Sequence, residues 1–250
     1  MRLLARSPLL VLSPLLALSL LGGCVTWPDV TPGRANRVDG IPGPEDLLWD
    51  AAHERLLVSS TDRRRKEADG QIYEVDPKTL TAKPMQRRGE PMGMRFNPHG
   101  ISYVQTSAGP LLYVITHSDA AGEGPHAIVV YLVLEGHLSF VELLQDPLLT
   151  SPNDLAAMQD GSLYVCNDQS ADGGFNEVLL ALKKATIVQL RPQHGWRVVA
   201  DGLAYPNGIV VAEDRVIAAA TREHRLYHWD RDAEGALSGK RVLAEVHGPD

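Results

Sequence analysis

The stretch Ser151-Pro152-Asn153-Asp154-Leu155 sits between two apolar runs, residues 141–149 and Leu163-Tyr164-Val165, where a strand is expected to begin. Taken alone, an Asn-Asp pair after proline reads as a turn, because both side chains bond their own backbone and tolerate unusual dihedrals. Repetition changes that reading. Glu45-Asp46-Leu47, His99-Gly100-Ile101, Asn153-Asp154-Leu155 and Asn207-Gly208-Ile209 recur at intervals of 54 residues, each with a proline just before the polar residue. Nine to thirteen residues later comes an apolar triplet: Leu56-Leu57-Val58, Leu112-Tyr113-Val114, Leu163-Tyr164-Val165 and Val216-Ile217-Ala218. A third strand follows in every unit, at residues 71–75, 128–131, 186–190 and 226–229.

Short apolar segments punctuated by Gly, Pro, Asp and Asn, with one possible helix around residues 177–184, make this an all-β chain. All-β units of several dozen residues, repeated, mean a propeller or a solenoid. In a propeller the first strand of each blade lines a central channel, so Glu45, His99, Asn153 and Asn207 are expected to meet near one axis. Asp46 and Asp154, one residue along, are expected to face away from them and form a second layer, since strand side chains alternate. Carboxylate and amide oxygens are hard donors of the kind calcium takes, and no His or Cys cluster has zinc spacing. A polar channel holding only water is the alternative.

Composition narrows the partners. The 44% hydrophobic and 22% charged residues among 250 support a packed core and are unlike a disordered chain. A formal net charge of -7 speaks against nucleic acid, which needs a concentrated basic surface. The basic run Arg63-Arg64-Arg65-Lys66, beside Glu67, Asp69 and Gly70, reads as a solvated loop, with Arg87-Arg88 further on.

Ahead of the repeats, Arg2 and Arg6 precede an apolar stretch, residues 9–21, which Pro14 interrupts; it suits a secretory signal better than a membrane span. It ends in Leu21-Gly22-Gly23-Cys24, which resembles the bacterial lipobox. That resemblance implies a signal peptide over residues 1–23 and a lipid on Cys24. It also implies a protein tethered to a membrane of the cell envelope, facing the periplasm or the outside; an ordinary signal peptide or an uncleaved anchor are the alternatives. Residue 25 is Val, not the Asp of inner-membrane retention. Residues 24–40 then form anchor and linker, and residues 41–250 the propeller. Cys166 is left without a disulfide partner and reads as a small buried hydrophobe.

Several motifs in order carry a family resemblance: Gly43-Pro44-Glu45-Asp46-Leu47, Phe96-Asn97-Pro98-His99-Gly100-Ile101-Ser102, Thr116-His117-Ser118-Asp119, Pro152-Asn153-Asp154, Val165-Cys166-Asn167-Asp168 and Pro206-Asn207-Gly208-Ile209. Through them the chain from about Gly40 to Asp250 resembles the calcium-dependent paraoxonase/arylesterase lactonases, which are six-bladed β-propellers. The resemblance implies two calcium ions. Glu45, Asn153, Asn207 and Asp250 would ligate a catalytic one; Asp46, Asp154 and the backbone carbonyl of Ile101 would hold a structural one. His99 and His117 resemble the family's histidine dyad and Asp168 the acid that orients it, while Gln169 stands where members often carry His.

The implied activity is hydrolysis of a small-molecule ester or lactone. Calcium would polarise the carbonyl and stabilise the oxyanion, His99 would take a proton from water, and His117 would pass it on. No Gly-x-Ser-x-Gly elbow is present, which disfavours a serine esterase. Only about four blades are expected, the last unit shorter, with Gly248-Pro249-Asp250 resembling the start of a fifth. The chain is therefore expected to be truncated, with weakened catalytic calcium affinity because the Asn expected after Asp250 is absent. Two other readings stay open: a gluconolactonase-like or strictosidine-synthase-like propeller enzyme, and a non-catalytic calcium-stabilised binding module or inactive fragment.

Overall fold

A computed structural model describes residues 36–62, 69–117 and 125–246. The signal segment, Cys24, the basic run at 63–66, Ser118-Asp119 and Asp250 lie outside the described residues.

The first sheet is β1 (Pro44–Asp50), β2 (Arg55–Ser60), β3 (Gln71–Asp76) and β4 (Thr81–Pro84), paired in chain order. Next come β5 (Gln86–Arg88), β6 (Asn97–Thr106), β7 (Gly109–His117), β8 (Ala127–Leu134) and β9 (His137–Leu144). These form a five-stranded sheet in the order β5-β9-β8-β7-β6, in which β5 runs parallel to β9. The third sheet is β10 (Pro152–Ala157), β11 (Leu163–Asn167), β12 (Ala185–Arg191) and β13 (Gly195–Leu203), with helix α1 (Phe175–Leu179) in its second connection. β14 (Pro206–Ala212), β15 (Arg215–Ala220), β16 (Arg225–Arg231) and β17 (Leu237–Glu245) make the fourth. These are four blades of a β-propeller, each built on a four-stranded antiparallel meander whose first strand is innermost, with β5 added in parallel at the outer edge of the second. β1, β6, β10 and β14 pack side by side in that order.

The apolar triplets occupy the second strands, and in the two middle blades, at β7 and β11, these are covered on both faces and so read as continuous hydrophobic runs. Leu163, Tyr164, Val165 and Cys166 of β11 are all fully buried. The core lies between neighbouring blades: Leu57 and Ile72 meet Phe96 and Leu112, Ile115 and Ile128 meet Leu163 and Val165, and Ile187 and Leu203 meet Val216 and Trp229. Burying each such side chain contributes about 1.5–3 kcal/mol, so the blade interfaces carry most of the stability.

Two expectations are corrected. The helix around residues 177–184 is shorter and earlier, because Gly174 offers no side-chain cap and Ala181 turns to φ 50, which ends it. Glu177 instead accepts hydrogen bonds from the Ser170 amide and hydroxyl, which folds this loop back on itself. The alternation that was to send Asp46 and Asp154 away from Glu45 and Asn153 also fails. Every innermost strand carries a register shift just after its proline, at Pro44/Leu47, Pro98/Ile101, Pro152/Asp154 and Pro206/Gly208. Proline lacks the ladder N–H, and a bulge re-aims the side chains beside it.

The bulges let side chains join neighbouring blades. Asp46 accepts the Ile101 amide at 2.8 Å, joining β1 to β6, and Asp154 accepts the Ile209 amide at 2.7 Å, joining β10 to β14. Between β6 and β10 the place of the aspartate is taken by Gly100. A Cβ there would stand 2.6 Å from the Asn153 carbonyl oxygen and 2.7 Å from the Asp154 Cα, both backbone atoms with little freedom to move. Gly100→Ala is therefore expected to destabilise the fold by about 1–3 kcal/mol, read by denaturant unfolding; unchanged stability would show that β6 and β10 are not held at this spacing.

Candidate active site

Glu45, His99, Asn153 and Asn207, from four different blades, line one cavity of about 310 Å³, together with Asp46, His117, Asp154 and Asp168. The cavity's described walls hold four carboxylates, Glu45, Asp46, Asp154 and Asp168, and neither Lys nor Arg. Asp46 and Asp154 also border a second opening further along the innermost strands, shared with Ile101, Tyr103, Leu155 and Ile209. The sequence-expected site residues within the described part of the chain are thus brought together, the upper set around the first cavity and Ile101 at the second.

Burial is the main cause that raises the Asp46 carboxyl above the ordinary carboxylate range, against the pull of the Ile101 and Leu47 amides. Asp154 is pushed up to about 7, first by burial and then by the Asp46 carboxylate nearby. Two adjacent half-buried carboxylates, with neither Lys nor Arg in the described cavity wall and the His99 imidazole offsetting them only in part, call for either protons or a cation. The remaining donors fit a hard cation. Asn153 and Asn207 offer amide oxygens, and the one thiol close by, Cys166, is pushed far from ionisation by burial. No three of His, Cys, Asp and Glu form a metal cluster by themselves among the described residues. The implied set therefore depends on amide and backbone oxygens, and its remaining member, Asp250, lies outside those residues.

Asp168 has different partners from the histidines expected for it. Its Oδ2 accepts from Asn153 Nδ2 at 3.0 Å and its Oδ1 from the Ser151 hydroxyl at 2.5 Å, while its amide donates to the Ser151 carbonyl at 2.8 Å. With the amide nitrogen held in this way, Oδ1 is the end of Asn153 left to act as a donor to a cation. Asp168 therefore orients the Asn153 amide.

His99 is held at both ring nitrogens. Nδ1 lies 2.7 Å from the Asn153 carbonyl oxygen, which can only accept, so Nδ1 carries the hydrogen. Nε2 lies 3.1 Å from Glu45 Oε2, a contact that becomes an ion pair when the ring is protonated. His117 stands edge to face with His99, ring centroids 5.5 Å apart, and is itself buried. Its Nδ1 is 2.8 Å from Nδ1 of His126.

Three contributors escaped the sequence reading. His126 lies outside the repeat, just ahead of β8, and its one signal was a histidine between Pro125 and a strand. Ser151 sits before the proline and read as turn. Tyr205 lines the cavity with φ 56, a left-handed conformation costing a non-glycine residue about 1–2 kcal/mol. Such outliers concentrate at functional sites.

Residues 63–243 match a sequence-family model described as Arylesterase. Serum paraoxonase/arylesterase 1 of Rattus norvegicus is 32% identical over 157 residues, 60% of this chain and 43% of the relative. Serum paraoxonase/arylesterase 2 of Gallus gallus is 28% identical over 213 residues, 81% of this chain and 54% of that protein. The chain spans about half the length of these curated relatives or less. Among solved structures, a gluconolactonase of Xanthomonas campestris matches with TM-score 0.55 at 19% identity, covering 84% of this chain and 64% of its own. A luciferin-regenerating enzyme matches with TM-score 0.54 at 14% identity, covering 81% of this chain and 61% of its own. At such identities the structural likeness shows the propeller fold alone. The family match takes in His99, His117, Asn153, Asp154, Asp168 and Asn207, and on its extent the chain belongs to the arylesterase family.

Proposed function

We propose that this chain is a calcium-dependent hydrolase of lactones or aryl esters. The observation that carries the reading is the acidic cavity: four carboxylates and the amides of Asn153 and Asn207, no Lys or Arg in the described wall, and within that wall a histidine held at both nitrogens. What the paraoxonase/arylesterase relatives are named for, together with the family match, supports the substrate class.

Glu45, Asn153 and Asn207 would hold the catalytic ion, and Asp46, Asp154 and the Ile101 carbonyl a structural one. Calcium at the first set would polarise the substrate carbonyl and stabilise the oxyanion formed on attack. The chain's residues do the rest. Asp168 fixes Asn153 with its amide oxygen available, and the Asn153 backbone carbonyl fixes the His99 tautomer, so one residue aligns both the ion and the base. His99 Nε2 takes the proton of the attacking water, and Glu45 stabilises the imidazolium that results. His117 is near enough for one water to bridge the two rings. A gluconolactonase-like enzyme draws on the same fold, and sugar-lactone turnover in place of aryl-ester turnover would favour it. Calcium binding with no hydrolysis of either class would leave the non-catalytic binding module.

The first test is hydrolysis of a lactone and aryl-ester panel with calcium and with chelator. Activity is expected only with calcium, and His99→Gln is expected to lose about 10²–10⁴-fold in kcat while still binding calcium. Chelator-resistant turnover, or an active His99→Gln, would defeat the reading. In Asp168→Ala the Asn153 amide is released, and calcium affinity measured by calorimetry is expected to fall about 10–100-fold; unchanged affinity would remove Asp168 from that role.

The folded, metal-free chain holds the Asp154 proton up to about 7, against 3.8 for an ordinary carboxyl, so the folded state binds it more tightly than the unfolded chain does. The stability this group contributes is complete below about pH 4 and lost as pH rises through about 7. In chelator, the Tm of Asp154→Asn is therefore expected to gain on the wild type between about pH 4 and 7. Parallel Tm curves would contradict the shift.

A further inference from the structure

Ester hydrolysis near neutral pH releases a proton, which must leave a cavity in which both His99 and His117 are buried. His117 does not end the row. Its Nδ1 meets Nδ1 of His126 at 2.8 Å, with the rings 5.0 Å apart and nearly perpendicular at 88°. Two ring nitrogens at that distance hold one hydrogen between them, one donating and the other accepting. His126 is half-buried and faces a separate cleft, which it lines with Gln145, Asp146 and Leu149. Three imidazoles thus run from the acidic cavity to a second opening, at centroid spacings of 5.5 and 5.0 Å.

We propose that His126 is the outer member of a proton relay that drains the hydrolytic site into the cleft beside Asp146. The inference rests on the hydrolase reading above and extends it by one residue. The transfer balances without a redox partner. Water gives its oxygen to the substrate carbonyl and one proton to His99; as the acyl C–O bond breaks, water's second proton goes to the leaving alkoxide oxygen. That proton passes through a bridging water to His117. His117 then gives the hydrogen on Nδ1 to Nδ1 of His126, and His126 releases the one on Nε2 to solvent or buffer. Each ring ends neutral, and the products are a carboxylate, an alcohol and one proton. Among the described residues lining the cleft, Asp146 is the other titratable group; His117 faces His126 from β7, with His99 and Glu45 behind it. His126 does not touch the cavity and acts through His117, so its part is to position that ring and carry its proton.

The test uses the full chain with calcium. His126→Gln keeps a hydrogen-bonding side chain but cannot relay a proton. In weak buffer it is expected to lose about a hundredfold in kcat with KM unchanged, and to regain activity as imidazole is added. Wild type is expected to ignore imidazole. A variant as active as wild type in weak buffer overturns the relay, and so does a loss that imidazole does not repair, which would mark His126 as structural only. Histidine ¹⁵N spectra of the metal-free chain test the pair without turnover. Replacing either His117 or His126 by Gln is expected to shift the titration of the other, and independent titrations would overturn the proposal. A wild-type chain that hydrolyses nothing would sink the hydrolase reading itself, an outcome distinct from an intact hydrolase indifferent to His126→Gln.

Discussion

The site depends on the way Asp46 and Asp154 reach from one innermost strand to a backbone amide of the next. Blades of a propeller do not share a hydrogen-bonded ladder, so their axial spacing must come from packing and from such side chains. Each carboxylate takes one amide from its own strand and one from its neighbour, which fixes two blades against each other close to the axis. The arrangement has a cost: negative charge is brought into a half-buried space, where burial and mutual repulsion both oppose it. A cation between such groups relieves that cost and strengthens the join. Fold and ion binding are in this account two aspects of one interaction.

The same economy appears at Asn153. Its backbone carbonyl holds His99, its amide nitrogen is held by Asp168, and its amide oxygen is left to face the cavity. The bulge after Pro152 makes this possible, because a regular strand would send Asn153 and Asp154 to opposite faces. Gly100 completes the arrangement by letting β6 approach the backbone at Asn153 and Asp154. Displacing that backbone would disturb His99, the Asn153 amide and the inter-blade join together.

Much of this was legible in the sequence. The recurrence of Glu45, His99, Asn153 and Asn207 marked the innermost strands and the residues that share the cavity, since a repeat constrains what lies near its axis. The apolar triplets marked the second strands, most plainly in β7 and β11, where both faces are buried. The outermost strands were not read: Leu237-Ser238-Gly239-Lys240-Arg241 is largely exposed and has no clean alternation, and β5 joins its sheet in parallel through three polar residues. The bulges also escaped, as a register shift leaves no mark beyond the proline beside it. So did the partners of Asp168. Expected to orient the histidines, it lies across from Ser151 and Asn153, a relation that follows from β10 pairing with β11 and not from any motif.

The claim that buried like charges create the ion site can be tested by counting protons. Calcium is added to the chelator-stripped chain in weak buffer at about pH 6, where Asp154, held up to about 7, is mostly protonated. The account predicts that binding acidifies the solution, and that Asp154→Asn releases correspondingly less acid. Calcium binding without proton release, or the same release from Asp154→Asn, would contradict it.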